Sequence, residues 1–327
     1  MKKLDFVIAW VDGSDENHRL KRQQFQPENV VKGAAEDTRF AHNDEIYFSI
    51  ASILKYVPYC GTIYIITDHQ QPSFVGEFEA QGLCRSGQIQ VVDHQEIFRN
   101  YQQYLPTFNS LSIESMLWNI KGISNHFIYL NDDFFFNQQS DLSDFLIDGQ
   151  MVIYGHWQAT LIKKMKYIFR KFLQQNFGMV AEAKYSTAQM LSADRVGMTR
   201  YYEIHHRPHI LSRDLLSTYF KNNKELLEQQ IQFKFRNIDQ LLPVGLSNHL
   251  AIQSDQAILK DDIDIAYLKD GRDLEKCILA LSNSEIKFGC IQSLDQLESL
   301  AEGRIRAALI QKFTGFLPSQ IQPTTVV

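Results

Sequence analysis

Acidic side chains close four short apolar runs of this chain. Asp12 follows Leu4 to Trp10, Asp68 follows Thr62 to Thr67, Asp93 follows Gln88 to Val92, and Asp132 with Asp133 follows His126 to Leu130. Acids gathered at strand ends suit a hard divalent cation and a diphosphate. Magnesium prefers one or two carboxylates, completed by phosphate oxygens and water, and it neutralises charge as the bond to a leaving group stretches. Asp68 and Asp93, taken singly, are explained as turn residues. The Asp132-Asp133 pair is different. Two adjacent carboxylates between a buried run and Phe134-Phe135-Phe136 need a counter-ion if they are to stay charged. Mg2+ (or Mn2+) is therefore expected at Asp132 and Asp133. Arg39 offers a guanidinium fork for a substrate phosphate. Asn43-Asp44-Glu45 reads as a helix start, an N-cap followed by acids that complement the helix dipole.

The elements that must carry these groups alternate in type. The four runs are rich in strand formers, and Met151 to Tyr154 is a fifth. Between them, Ile46, Ile50, Ile53 and Leu54 recur at helical spacing up to Pro58, and Ile113, Met116, Leu117 and Ile120 do so up to Gly122. Near-continuous apolar strands, alternating with helices, indicate a parallel sheet covered on both faces. Such sheets bind ligands beyond the carboxyl ends of their strands, which is where the acids fall. In the second half the pattern predicts helices over Ser212 to Lys221, over Ser247 to Leu259, and from Ser293, where Ser293 and Gln296 make a capping box. The fold expected is α/β: a Rossmann-like, mostly parallel sheet with helices on both faces over 1–155. A largely helical half over 156–327 completes the active site within one catalytic domain.

Bulk composition narrows the function classes. Hydrophobic residues make up 44% and charged residues 22%, enough apolar material for a packed core. A net charge of -5 gives no reason to expect nucleic acid as a partner. Cys60, Cys84, Cys277 and Cys290 form no CxxC pair, so neither a zinc site nor a disulfide scaffold is indicated, and a cytoplasmic setting fits. Asp5 and Asp12 interrupt the first apolar stretch, which argues against a leader. No run of about 18 uncharged apolar residues exists to span a bilayer.

Taken together, the motifs resemble the Stealth family. The matching strings are Trp10-Val11-Asp12-Gly13-Ser14-Asp15, Arg39-Phe40 with Asn43-Asp44-Glu45, Ile65-Ile66-Thr67-Asp68, Leu105-Pro106-Thr107-Phe108-Asn109-Ser110 with Ile113-Glu114-Ser115, and Tyr129-Leu130-Asn131-Asp132-Asp133. Further on, His206-Arg207-Pro208-His209 resembles the family's His-x-Pro element, Phe235-Arg236 with Asp239 its Phe-Arg element, and Phe288-Gly289-Cys290-Ile291 its last conserved region. The resemblance implies a hexose-1-phosphate transferase of capsular or exopolysaccharide synthesis. In that reaction an acceptor sugar hydroxyl attacks the β-phosphorus of a nucleotide-sugar and a nucleoside monophosphate leaves. It implies Asp132 and Asp133 at the metal and Asp133, His206 and Arg236 in catalysis, His206 as general acid or base and Arg236 as phosphate clamp. Asp12, Gly13, Arg39, Asn43, Asn109, Glu114 and His209 would bind substrate. The roles make chemical sense, since an alcohol needs a base that titrates near neutrality. Without the resemblance, His206 would read as a surface residue beside Pro208, and Arg236 as the partner of Asp239. The chain departs from the family pattern at His42, Tyr47, Met116 and Gln292-Ser293. Two other readings of the same acids are a metal-dependent glycosyltransferase, which releases a nucleoside diphosphate, and a non-catalytic glycan- or nucleotide-binding relative.

One stretch stands apart from this chemistry. On a helical wheel Leu161, Ile162, Met165, Ile168, Phe169, Phe172 and Leu173 share a face, and Lys163, Lys164, Lys166, Arg170 and Lys171 take the other. The ordinary arrangement of such a helix buries the apolar face in the core and leaves the cations in water. The other arrangement is peripheral contact with an anionic membrane, at the inner face of the cell membrane, where a lipid-linked glycan acceptor would be found.

Overall fold

The computed structural model describes residues 2–26, 43–179, 183–292 and 294–321. Arg39, His42 and Ser293 lie outside the described residues.

Four strands in chain order, β1 (Leu4–Ala9), β2 (Cys60–Thr67), β3 (Ile89–Asp93) and β4 (His126–Asn131), form the parallel part of a five-stranded sheet. Their order is β4-β1-β2-β3, and their carboxyl ends fall in line: Ala9 sits opposite both Ile66 and Asn131, and Thr67 opposite Asp93. The residues of β1 up to Ile8 are buried, as expected for a strand with protein on both faces. Even Asp5 is inside. Its carboxylate accepts from the Thr62 amide at 2.9 Å and the Ser124 amide at 2.8 Å, so the buried charge is satisfied by backbone donors. The fold is mixed α/β with a mostly parallel central sheet, as the sequence indicates.

The fifth strand comes from the second half. His209–Ser212 runs antiparallel along β4, with His209 opposite Tyr129 and Ser212 opposite His126. Antiparallel pairing brings the start of this strand to the end of β4 that carries Asn131.

Other expectations need correcting. Helix Glu45–Tyr56 begins with Asp44 in the left-handed region, φ 66°, and not with Asn43 as a side-chain cap. The helix expected around Ile113 is split into Ser110–Glu114 and a 3-10 turn, Leu117–Asn119. Ser247 to Leu259 is not one helix. The helix is Pro243–Gln253, and Ala257–Lys260 is a strand paired with Gln150–Tyr154 in a separate small sheet. Asp255, at φ 55°, makes the turn between them, and a short apolar run such as A-I-L-K fits either period. The last long helix starts at Ser299, after a 3-10 turn at Leu294–Gln296. The basic stripe is a helix, Thr160–Phe177, but its apolar side faces outward.

Candidate active site

Beyond the carboxyl ends of β1, β2 and β4 lies a cavity of about 610 Å3. Asp132 and Asp133 line it together with His206 and Arg236, so groups from both halves of the chain meet in one space. Glu45, Glu114 and His209 line it too. A second hollow, about 460 Å3 beside Asn125 and Tyr219, has Asp214 as the one charged residue in its lining.

The acids form one wall. Asp132 and Asp133 keep some surface open to the cavity, yet protein surrounds them at depth, and burial pushes both carboxyls well above the usual range. Like charges add to this: Asp133 raises Asp132, and Glu45 raises Asp133 against the lowering effect of the Cys290 hydrogen bond. Glu45 is pushed up to about 8, by burial first and then by Asp132. One oxygen of Asp133, Oδ1, is buried without a hydrogen-bond partner. Its Oδ2 lies 3.5 Å from the Cys290 thiol, and the Gln292 side chain also reaches this carboxylate. Three carboxyls that resist ionisation in each other's company, one with an open lone pair, fit a hard cation, which would supply the missing positive charge. The tightest ready-made ligand sets among the described residues lie elsewhere, at Asp68, His69 and Asp93 and at His156, His205 and Asp262, whose ligand atoms fall within 4.8 Å of one another. Magnesium needs no such cage, because one or two carboxylates and the substrate's own phosphates suffice.

His206 lines the same cavity. Its ring lies between Tyr185, with centroids 5.0 Å apart and planes 24° apart, and Tyr267, at 6.2 Å and 4°. Phe134, directly after Asp133, meets it edge-on at 6.1 Å. Burial holds the His206 pKa below its ordinary value, helped by His205, Arg236 and Lys269. The imidazole is therefore neutral at neutral pH and free to take a proton. Tyr267 also donates to Gln292 at 2.8 Å, which links the histidine's stacking partner to the residue reaching Asp133.

Arg236 is not the partner of Asp239. It donates to Ser110 Oγ at 2.6 Å and faces Glu114, whose carboxyl burial pushes up to about 7 against the lowering effect of Arg236. Asp239 instead takes Tyr167 at 2.7 Å and Lys171 at 2.9 Å. The guanidinium thus keeps donors for a ligand.

The other expected residues divide. His209 lines the cavity, is buried, and leaves Nε2 unpartnered. Asn109 does not line it. Its side chain caps helix Ser110–Glu114 and donates to Gln240 at 2.8 Å, tying Ser110 to the segment that bears Arg236. Asp12 accepts from the Ser14 amide at 2.8 Å and, with Gly13, lies outside the lining, although Trp10 and Val11 are within it. Asn43 donates its amide to Glu45 Oε2 at 2.6 Å, and its carbonyl accepts from Arg306 at 2.9 Å. Asp93 caps the short helix His94–Ile97, a role that turn chemistry suggests, whereas Asp68 is held by an ion pair with Lys21 at 2.8 Å. Tyr47 and Met116, two departures from the family pattern, are core residues, whereas Gln292, a third, faces the site.

Sequence reasoning missed Glu45, Tyr185 and Tyr267 as site residues. Glu45 carried a signal, its place two residues after Asn43, but a first-turn acid on a helix explains that equally well. The tyrosines carried none, because stacking across long stretches of chain leaves no local pattern.

Residues 39–153 match the family model described as Stealth protein CR2, conserved region 2. The chain is 39% identical over 145 residues to a capsular polysaccharide phosphotransferase of Actinobacillus pleuropneumoniae, a match that covers 43% of this chain and 38% of that one. It is 30% identical over 271 residues to an exopolysaccharide phosphotransferase of Streptomyces coelicolor, covering 82% of this chain and 27% of that one. The chain therefore spans well under two thirds of the length of these relatives. Among solved structures, the WbbM bifunctional glycosyltransferase aligns with a TM-score of 0.47 at 9% identity, over 98% of this chain and 51% of that one.

Proposed function

The chain belongs to the Stealth family, and on that premise we propose that it transfers a sugar-1-phosphate from a nucleotide-sugar to a hydroxyl of a glycan acceptor. Capsular or exopolysaccharide synthesis at the inner face of the cell membrane, with an acceptor carried on a lipid, is the setting this reading gives it. The observation that carries the proposal is the single cavity lined by Asp132, Asp133, Glu45, His206 and Arg236 together. Residues 1–155 and 156–327 are then two halves of one catalytic domain.

The chemistry assigns each group a task. His206, neutral because it is buried, accepts the proton of the acceptor hydroxyl. The freed oxygen bonds to the β-phosphorus, and the bond from that phosphorus to the oxygen bridging it to the α-phosphate breaks. The electron pair leaves with the nucleoside monophosphate, and the product is a sugar-phosphate-sugar diester. Arg236, oriented by Ser110, holds the phosphoryl oxygens through its remaining N–H groups. Asp132 and Asp133, with Glu45 beside them, would hold Mg2+ or Mn2+. When bound, such an ion neutralises phosphate charge that the surrounding acids would otherwise repel.

The test is incubation with a panel of nucleotide-sugars and magnesium, with and without chelator, following the nucleotide released. The proposal expects the monophosphate, lost on chelation. Release of the diphosphate would make this a glycosyltransferase, and no release with any donor would make it a binding protein.

A further inference from the structure

Helix Thr160–Phe177 is mounted with its apolar side outward. Lys164 pairs with Asp194, Lys171 with Asp239 at 2.9 Å, and Lys163 with Glu203 at 3.3 Å, while Tyr167 donates to Asp239 at 2.7 Å. The charged side is therefore what holds the helix to the protein. Leu161, Ile162, Met165, Ile168, Phe169 and Phe172 point away from it, and Phe169 is 61% and Leu161 67% exposed. Past the helix end, where Gly178 takes φ 63°, Met179 is exposed as well. This overturns the ordinary arrangement, in which the apolar face would be in the core. A contiguous apolar face of this kind on a folded chain marks a surface that something covers.

We propose that this face seats on an anionic lipid bilayer, the helix lying in the plane of the interface. Three observations select that occupant. The helix has five cations and no acid, within a chain of net charge -5. Lys166 and Arg170 flank the apolar face and have no ion pair among the described residues, so they are available to lipid phosphates. The outward side from Leu161 to Phe172 presents no polar group with which a protein partner could set register, whereas a bilayer requires none. A second copy fits worse, because two-fold pairing of this helix would bring the same basic rims together. No helix among the described residues is long and apolar enough to cross a membrane, so the contact is one of lying on the surface.

The seat is joined to the cavity. Asp239, which grips Tyr167 and Lys171, closely follows Arg236 in the chain. On the transferase reading, a helix fixed at the lipid surface would hold the cavity near an acceptor carried there. That clause rests on the proposed function; the membrane contact does not.

The experiment is co-sedimentation of the full chain with vesicles of phosphatidylcholine alone and with about 30% phosphatidylglycerol added. Binding to the anionic vesicles is expected to exceed binding to neutral ones by roughly tenfold or more and to weaken at high salt. Phe169→Ser with Phe172→Ser, and separately Lys166→Gln with Arg170→Gln, should each lower it about tenfold. Thermal unfolding and turnover on a soluble acceptor should be unchanged in both. No binding, equal binding to both vesicles, or self-association that the Phe169/Phe172 variant abolishes in a chain that ignores vesicles would each overturn the proposal. Vesicle binding needs no substrate, so it fails or succeeds separately from the transferase assignment.

Discussion

Tyr185 stacks on His206 with ring centroids 5.0 Å apart, although the two come from different elements: Tyr185 opens helix Tyr185–Arg195 and His206 precedes strand His209–Ser212. The stack fixes the plane of the imidazole and keeps water from it. Tyr185 is thus a positioning residue for the group assigned as base.

His206→Ala should lower kcat by roughly 10²–10⁴-fold, the usual contribution of a general base. Because burial lowers the His206 pKa, the acid limb of kcat/KM should fall below the ordinary value of 6.5. Tyr185→Ala should move that limb up towards 6.5 as the ring becomes hydrated, while Tyr185→Phe keeps the stack and the profile. An unshifted limb in Tyr185→Ala would remove the positioning role.

The acid wall makes a prediction about pH and metal. Glu45 is raised from 4.5 to about 8, so the folded chain prefers its protonated form. In chelator, stability should be fully present below about pH 4.5 and lost as pH rises through about 8. A divalent cation competes with those protons, so its stabilising effect should be larger at pH 8 than at pH 6, measured as Tm in magnesium minus Tm in chelator. Glu45→Gln should flatten the chelator curve. A Tm that does not change with pH in chelator would mean the acids do not carry this strain.

Arg236→Lys should reduce kcat/KM for the donor by roughly 10–100-fold, since an ammonium cannot reproduce a fork that donates to Ser110 and, on the proposed function, to a phosphate. Ser110→Ala should cost less, about tenfold, because the guanidinium loses its orientation but not its charge. Equal kinetics in all three proteins would place the donor phosphate elsewhere.

Gly289 lies on the strand Phe288–Ile291 that pairs with Phe134–Phe136 just beyond the acids. A Cβ there would fall 2.0 Å from the Phe135 ring. Gly289→Ala should cost about 1–3 kcal/mol of stability by overpacking. It should also reduce turnover, because Cys290 on this strand and Gln292 just past its end reach Asp133. Thermal unfolding and kcat measured together check both effects.

How far the sequence foretold this molecule depended on whether the controlling contacts were local. The parallel strands were legible because burial on both faces leaves near-continuous apolar runs in β1, β2 and β4, with the less buried β3 carrying a weaker one. The antiparallel strand His209–Ser212 was not, being four residues after a proline with no alternation to read. Asp132 and Asp133 declared themselves by adjacency, since two neighbouring charges beside a buried run need a reason. His206 and Arg236 stood out only through their resemblance to family motifs, because nothing in the neighbourhood of a single histidine says what will stack on it. Glu45 was hidden by its own propriety, an acid in a first turn. The amphipathic helix was legible as a helix, but which side faces outward depends on Asp194, Glu203 and Asp239, acids remote from it in the chain.

One strand pairing fixes the spacing between acid and base. With His209 registered against Tyr129, the chain on either side of that pair is pinned at one rim, and the stretch looped out between residues 137 and 179, ahead of the Tyr185 that stacks on His206, sets no part of that spacing. Such a loop can be lengthened, shortened or fitted with a new surface, the outward-facing helix included, while the distance from carboxylate to imidazole stays where the ladder sets it.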